Sequence, residues 1–174
     1  HTIPLQDEAW YDETALEAEL RRVYDICHGC RRCFNLCDSF PLLFDMIDEA
    51  PNEEVDDLTP GQLKAVVDSC TLCDMCFMTK CPYVPPHEFD LDFPHLMLRY
   101  RAVEHRKGET PLADRELAKM TRNGTVGTAL AGLANWATKE SNAVTRPVME
   151  GVLGIDARAH VPPFREAPFA NAAQ

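Results

Sequence analysis

The sequence lacks several features that would assign it to a common functional class. It contains no Gly-rich phosphate-binding loop, no credible nucleophile–base pair and no flavin-binding segment, which argues against catalysis by this chain alone. Basic residues are few, since 17 Lys and Arg stand against 28 Asp and Glu, for a formal net charge of −11. Phosphate neutralisation needs clustered cations, so we expect no nucleic-acid partner, and the acid excess favours a basic protein surface.

Long apolar runs are also absent. No stretch of 18 consecutive apolar residues occurs, and residues 1–25 contain nothing like the apolar run of a signal sequence. We therefore expect no transmembrane segment and a cytoplasmic location, with peripheral association with the inner membrane left open. The 174 residues suffice for one domain with a core, but not for a flavin or nucleotide domain besides.

What the sequence does contain is eight cysteines in two runs. Each run has the spacing C-x2-C-x2-C, with a fourth cysteine after three or four intervening residues: Cys27, Cys30, Cys33 and Cys37, then Cys70, Cys73, Cys76 and Cys81, followed by Pro82. A cubane 4Fe-4S cluster takes one thiolate per iron, and in bacterial ferredoxins the fourth cysteine of each run ligates the other cluster. We therefore predict two 4Fe-4S clusters. One would be held by Cys27, Cys30, Cys33 and Cys81, and the other by Cys70, Cys73, Cys76 and Cys37.

Other cysteine chemistry fits this spacing less well. A zinc-binding structural module is the main alternative, but zinc sites usually take two cysteine pairs separated by a longer loop. No C-x-x-C is followed by His, which excludes a haem c motif. A three-iron cluster would need a missing ligand, and both sets are complete.

The cysteine runs belong to a duplicated unit. An offset of 43 residues superimposes the first three cysteines of each run, and also Leu20 on Leu63, Arg21 on Lys64, Val23 on Val66, Asp25 on Asp68 and Phe34 on Phe77. Lys80 is then a one-residue insertion before Cys81. Two copies of a helix followed by a cysteine loop predict a pseudo-twofold pair that shares its ligands, and an apo protein that loses most of its fold.

Helical periodicity precedes each run. The apolar spacing from Leu16 to Cys27 predicts a helix capped by Asp12 or Thr14 and ended by Gly29. A second helix is predicted to start with Ser39 as its cap and to run through Ile47. A third should begin at Thr59 and Pro60 and run to Cys70.

The remainder is also predicted to be helical. After an extended proline-rich stretch over residues 83–93, Asp92 and Pro94 should start a helix whose Arg99, Arg101, Arg106 and Lys107 suit the negative end of its dipole. Further helices are expected at residues 112–121, 126–138 and 147–153. We divide the chain into a two-cluster domain at 12–107, a helical extension at 108–160 and a Pro-rich tail or linker at 161–174.

An acidic stretch, an apolar stripe and the charged residues within the cysteine runs can each be interpreted in functional terms. The acidic stretch at residues 48–57 is more typical of a solvated loop than of a docking patch for a basic redox partner. The stripe of Val126, Leu130, Leu133 and Ala137, with Trp136 beside it, is more typical of core than of a face that contacts a membrane or partner. Arg31 and Arg32 in the first run, against Asp74 in the second, would give the first cluster the higher potential if charge alone decided.

Other side chains near the runs have expected roles as well. A set of apolar residues is expected to exclude water from the cysteines: Phe34, Phe40, Met75, Phe77, Met78 and Tyr83. Such exclusion and hydrogen bonds to sulfur set cluster potential. The histidines lack metal-like spacing and are interpreted as surface or packing residues: His28, His87, His95 and His160.

These motifs resemble one known family. The two cysteine runs, the segment Cys81–Pro82–Tyr83 through Pro85, Pro86 and His87, and the later Asp92–Phe93–Pro94 are similar to the N-terminal part of the heterodisulfide-reductase-related iron-sulfur oxidoreductases. That group includes the iron-sulfur subunits of anaerobic glycerol-3-phosphate dehydrogenase and of glycolate oxidase. The likeness covers residues 12–107.

The resemblance implies an α-helical ferredoxin fold, two 4Fe-4S clusters and electron transfer from a flavoprotein dehydrogenase toward a quinone or a disulfide-type acceptor. Members of the family usually continue into cysteine-rich domains with an adjacent Cys-Cys pair, which this sequence lacks. We therefore expect an electron-relay module. The alternative is the N-terminal fragment of a complete oxidoreductase whose cysteine-rich catalytic domain lies elsewhere. Asp38 follows Cys37 where ferredoxins often have Pro, which is a second departure.

Overall fold

The computed structural model describes residues 3–165, and every regular element within this range is helical. These residues form eight α-helices: α1 (Glu13–Cys30), α2 (Ser39–Asp48), α3 (Pro60–Ser69), α4 (Phe93–Lys107), α5 (Leu112–Leu117), α6 (Met120–Ala129), α7 (Ala131–Thr138) and α8 (Thr145–Leu153). Single 3-10 turns lie at Glu8–Tyr11 and Val55–Asp57, and a π-helical turn lies at Cys76–Lys80. The predicted all-α class is confirmed. The chain forms two compact units, one ending at Glu109 and the other starting at Thr110.

Helix α1 begins as predicted but ends later. The Asp12 side chain accepts a hydrogen bond from the N–H of Ala15 and caps the first turn. The prediction that Gly29 ends the helix is wrong, because the helix continues through it to Cys30. The backbone leaves the helix at Arg31, whose left-handed conformation and N–H bond to the Cys27 carbonyl close the last turn. A glycine inside a helix costs only about 1 kcal/mol relative to alanine, which packing elsewhere readily offsets.

The starts of α2 and α3 differ in how well the sequence predicts them. Thr59 caps α3 with Pro60 in the first turn, as predicted, and Gln62 completes a reciprocal capping box that was not predicted. Ser39 was predicted to cap α2, but it is the first helical residue, and Asp38 takes the cap position without a side-chain bond.

The core of the first unit lies among α1, α2, α3 and α4. Its buried aromatic side chains include Tyr24, Phe40, Phe44 and Phe93, with the rings of Phe40 and Phe93 centred 4.8 Å apart. The Tyr24 hydroxyl donates to the Leu63 carbonyl at 3.2 Å, so the one polar atom of this ring system is satisfied. Both helices that precede a cysteine run are therefore fixed against the same core.

The basic residues of α4 do more than face the helix dipole. Arg99 Nε donates to the Trp10 carbonyl at 2.7 Å, and Arg106 pairs with Glu8 at 2.6 Å, so both hold the N-terminal segment. Arg101 Nη2 donates to the carbonyls of Val67 and Cys70 at 2.7 and 2.5 Å. This last contact joins α4 to the end of α3, where the second cysteine run begins.

The second unit departs from its prediction. The segments expected at 112–121 and 126–138 form three helices, because the backbone breaks at residues 118–119 and again at Leu130. That second break disrupts the predicted stripe, and the interpretation of the stripe as core is wrong: Leu133 is 62% exposed, and Val126, Leu130 and Trp136 are also more than half exposed.

The segment after α8 is held to its own unit. The Asn135 side chain donates to the Phe164 carbonyl at 2.9 Å and accepts from the Phe164 N–H at 2.7 Å. A Cβ on Gly127 would collide with the Phe164 ring, so glycine is required there. Phe164 is thus held to its own unit, whereas Pro162, Pro163 and Arg165 are exposed. Residues 166–174 of the predicted tail lie outside the described range. Among residues 3–165, no helix is both long and apolar enough to cross a membrane.

Candidate metal centre

The first cysteine run starts inside a helix. Cys27 and Cys30 occupy the last turn of α1, three residues apart, so their side chains leave the same side of the helix. Arg31 then adopts a left-handed conformation with φ of 51° and turns the chain. The Leu36 N–H donates to the Cys33 carbonyl at 2.9 Å, which forms the short loop that carries Cys33 and Cys37 to the start of α2.

The second run starts where a helix has just ended. Cys70 is the C-terminal cap of α3, and its N–H donates to the Val67 carbonyl at 3.1 Å. The Leu72 N–H points at the Cys70 sulfur at 3.4 Å. Asp74 has φ of 59° and lies 43 residues after Arg31, so the sequence repeat recurs in the backbone at this pair.

The inserted Lys80 has a clear structural consequence. The Cys81 N–H donates to the carbonyl of Cys76, five residues back, at 2.9 Å, which makes the π-helical turn Cys76–Lys80. In the first run, the corresponding bond runs from the Leu36 N–H to the Cys33 carbonyl, only three residues back. π-Helical turns recur at functional sites in other proteins. Here the extra residue is taken up in the turn that immediately precedes Cys81.

Cys81 lies with the first run. One cavity is lined by Cys27, Cys30, Cys33 and Cys81 together with Arg32, Pro82 and Tyr83. Burial raises the pKa of the Cys27 thiol well above its ordinary value, and the Cys81 thiol makes the largest contribution among its neighbours. Burial likewise raises the pKa of Cys33 to about 11, again with Cys81 as the strongest neighbour.

Cys37 lies near the second run. Burial raises the pKa of the Cys70 thiol, and the thiols of Cys37 and Cys73 raise it further. Burial raises the pKa of Cys76 to about 12, with contributions from Cys33, Cys70 and Cys37. The two sets of thiols therefore adjoin each other, and the fourth cysteine of each run is near the other run.

Apolar side chains enclose the first set. Phe40 and Phe44, each 1% exposed, and Leu91 line the cavity of Cys27 and Cys81. Phe40 was predicted in this role, whereas Phe44 and Leu91 were not, because no local pattern brings them to the cysteines. The same role was predicted for Phe34, Met75 and Met78 and is wrong, since their exposed fractions are 54%, 46% and 74%.

Tyr83 combines an apolar ring with a hydrogen-bond donor at the first set. Its ring packs against His87 and Phe89, with centroids 5.0 and 5.3 Å away, and its carbonyl accepts from the Leu91 N–H. The neighbouring Cys30 thiol raises the pKa of Tyr83, so the phenol O–H lies where it could donate toward that sulfur. Sequence reasoning assigned Tyr83 to water exclusion and missed the donor.

A buried hydroxyl lies beside the fourth cysteine of the first run. Ser39, two residues after Cys37, is fully buried, and its oxygen has no hydrogen-bond partner among the described residues. An unsatisfied buried polar group costs about 1–3 kcal/mol, so such groups normally have a partner. An acceptor supplied by a bound group at the adjacent cysteines would remove this cost.

The charge of Arg31 is offset locally. Its guanidinium pairs with Asp48, and His28 bonds the same carboxylate at 2.8 Å. These partners hold the pKa of Asp48 down at about 2. The positive charge assigned to the first run is therefore partly neutralised by the first residue of the acidic stretch, which weakens the argument from charge alone. The other histidines pack or pair at the surface: His87 on Tyr83, His95 on Trp10 and His160 with Glu140.

The thiols do not converge on one point. Within residues 3–165, no three His, Cys, Asp or Glu side chains stand close enough together to hold a single metal ion. A structural zinc site needs all four ligands within about 2.3 Å of one ion. A cubane cluster needs one thiolate on each of its irons, around a larger centre. Thiolate donors suit both kinds of centre.

Comparison with known proteins yields one partial likeness. The chain is 28% identical over 100 residues to citrate utilization protein B of Escherichia coli. The match covers 58% of this chain and 24% of that protein, so the chain spans about a quarter of the relative's length. No protein-family profile and no solved structure matches the chain.

Proposed function

We propose that the chain is an electron-transfer protein that holds two 4Fe-4S clusters, one on Cys27, Cys30, Cys33 and Cys81 and one on Cys70, Cys73, Cys76 and Cys37. The observation that carries this proposal is the cavity shared by the first three cysteines of one run and the last cysteine of the other. The spacing of each run and the proximity of Cys37 to the second run support it.

The surroundings of the cysteines suit redox clusters. When bound, such clusters accept and donate single electrons at potentials that depend on solvent exposure and on hydrogen bonds to sulfur. Phe40, Phe44 and Leu91 would exclude water from the first set, and Tyr83 would donate to the Cys30 sulfur. The orphaned hydroxyl of Ser39 would gain an acceptor beside Cys37. Water exclusion and hydrogen bonds to sulfur both affect the potential of a bound cluster, whereas a zinc ion has no redox potential to adjust.

The proposed role is to relay electrons between a flavoprotein or another redox donor and a quinone or disulfide-type acceptor. The donor and acceptor classes rest on the resemblance to the heterodisulfide-reductase-related oxidoreductases. A cysteine-rich catalytic domain or subunit would complete the reaction. The match to a protein about four times longer than the matched segment favours a larger assembly of this kind.

Iron analysis tests the proposal. Protein purified without oxygen should be brown, contain about eight iron and eight acid-labile sulfide per chain, and show spin-coupled EPR signals when reduced. Cys81→Ser should lose the cluster of the first run, and Cys37→Ser that of the second. Colourless wild-type protein with two zinc ions would refute the proposal and favour the zinc-binding module.

A further inference from the structure

One cysteine of the second set is more accessible to solvent than all the others, although Cys76 of the same set is buried. Of the eight cysteines, all of which lie in the described range, only Cys73 is exposed. The first set is walled by buried aromatic rings, whereas Cys73 is flanked by Met75 and Met78, which are 46% and 74% exposed. Because the rate of electron tunnelling falls steeply with distance, the second run offers the shortest path from a thiolate to a docked partner.

The exposed methionines are held in place. The Met78 N–H donates to the Asp74 carbonyl at 2.9 Å, and the Thr79 hydroxyl donates to the Met75 carbonyl at 2.7 Å. Met75 is the N-terminal cap of the π-helical turn Cys76–Lys80, and Met78 lies within that turn. Flexible, polarizable methionine side chains are well suited to protein-binding surfaces.

A groove adjoins this turn. It has a volume of about 350 Å³, and its walls include the apolar side chains of Leu72, Phe77 and Leu98 and the carboxylates of Asp74 and Asp92. The Asp92 carboxylate also caps α4 at the N–H of His95, which lines the groove too. An apolar groove with the Asp74 carboxylate in its wall complements a Lys or Arg side chain, whose aliphatic stem prefers apolar surface and whose head prefers a negative charge.

Residues 1–109, which include this surface, are also negatively charged overall. Residues 1–109 carry 22 of the 28 acidic residues but only 10 of the 17 basic residues, a net charge of −12. A field of this size speeds the approach of basic proteins, and more so at low ionic strength.

From these observations we propose that the surface of Cys73, Met75 and Met78, with the adjoining groove at Asp74, docks a one-electron redox protein that presents basic side chains. The proposal rests on the proposed function, since it assigns the second cluster as the point of exchange with the partner. The partner's basic side chain would enter the groove, and its apolar surface would cover the two methionines.

A pair of matched variants tests the docking surface. Met78→Lys and Met120→Lys change the net charge equally at positions that are 74% and 75% exposed, but only Met78 lies on the proposed surface. Stopped-flow oxidation of the reduced protein by cytochrome c, a basic one-electron acceptor, supplies the readout. Because like charge at a docking site slows association, we expect the second-order rate constant at low salt to fall about tenfold for Met78→Lys and less than about twofold for Met120→Lys.

A second pair of variants keeps the test decisive if Met78→Lys loses its clusters. Asp74→Asn removes a charge while keeping a residue type that tolerates the left-handed backbone at this position. It should slow the reaction and weaken its salt dependence more than Asp114→Asn, a change in the second unit. Iron content and midpoint potentials are measured for every variant.

The outcomes separate the two proposals. Equal effects within both pairs, in variants that keep their iron, would overturn the docking surface and leave the electron-transfer function standing. Wild-type protein without iron would overturn the electron-transfer function, and the docking proposal with it.

Discussion

At the scale of single residues, the hydroxyl of Tyr83 is the group expected to tune the cluster proposed for the first cysteine set. A donor to a thiolate ligand stabilises the reduced, more negative state of a cluster and so raises its potential. Tyr83→Phe removes this donor and keeps the ring that packs on His87 and Phe89. We expect one of the two midpoint potentials to fall by roughly tens of millivolts in a redox titration monitored by EPR.

Tyr11→Phe provides the control for that titration. The Tyr11 hydroxyl donates to the Leu5 carbonyl, so this variant loses a tyrosine hydroxyl that is not bonded to a cysteine. Both of its midpoint potentials should match those of the wild type. If Tyr83→Phe also matched the wild type, the assigned bond to Cys30 would be wrong.

At the scale of elements, the two glycines Gly29 and Gly127 should respond oppositely to the same change. A Cβ on Gly29 would meet no atom within 4 Å. Because alanine favours the helix and restricts the unfolded chain, Gly29→Ala should stabilise the first unit by about 0.4–1 kcal/mol. Gly127→Ala would collide with the Phe164 ring and should destabilise the second unit. Thermal unfolding followed by far-UV CD measures both changes.

Gly132→Ala serves as the reference, because it lies in α7 and also has open space around its Cβ. It should not share the loss of stability expected for Gly127→Ala. A destabilised Gly29→Ala would indicate that the turn between Cys27 and Cys30 depends on glycine for a reason other than space.

The elements also show what the sequence can and cannot predict. The starts of α3 and α4 were predicted because Thr59, Gln62 and Asp92 act on backbone groups within three residues. The end of α1 was mispredicted because glycine is only a weak breaker and the turn is made by Arg31. The break at Leu130 carries no local signal that we recognise.

The candidate site divides in the same way. The cysteine spacing predicts two ligand sets from the chain alone, and the assignment of clusters to them is still a prediction. Phe44, Leu91 and the buried hydroxyl of Ser39 could be found only in the structure, because their burial depends on residues distant in sequence. The exposure of Met75 and Met78 was missed for the same reason.

At the scale of the whole molecule, the cysteines and their loops lie entirely in the first unit. If cluster binding is coupled to folding, removal of iron should unfold that unit and spare the other. We expect hydrogen–deuterium exchange of the full chain, after anaerobic chelation, to rise across residues 13–107 while residues 112–153 keep their protection. Slow exchange at α1 and α3 in iron-free protein would show that the core of Tyr24, Phe40 and Phe93 suffices without clusters.

Arg31 and Asp74 show how the two repeated loops differ in charge. They occupy equivalent positions of the repeat, both with left-handed backbones, yet they bear opposite charges. The same left-handed backbone conformation therefore carries a cationic side chain in the first loop and an anionic side chain in the second. An exchange of the two charges would also leave the Asp48 carboxylate without its guanidinium partner, so the two loops are alike in backbone but differ in the surroundings of this charge.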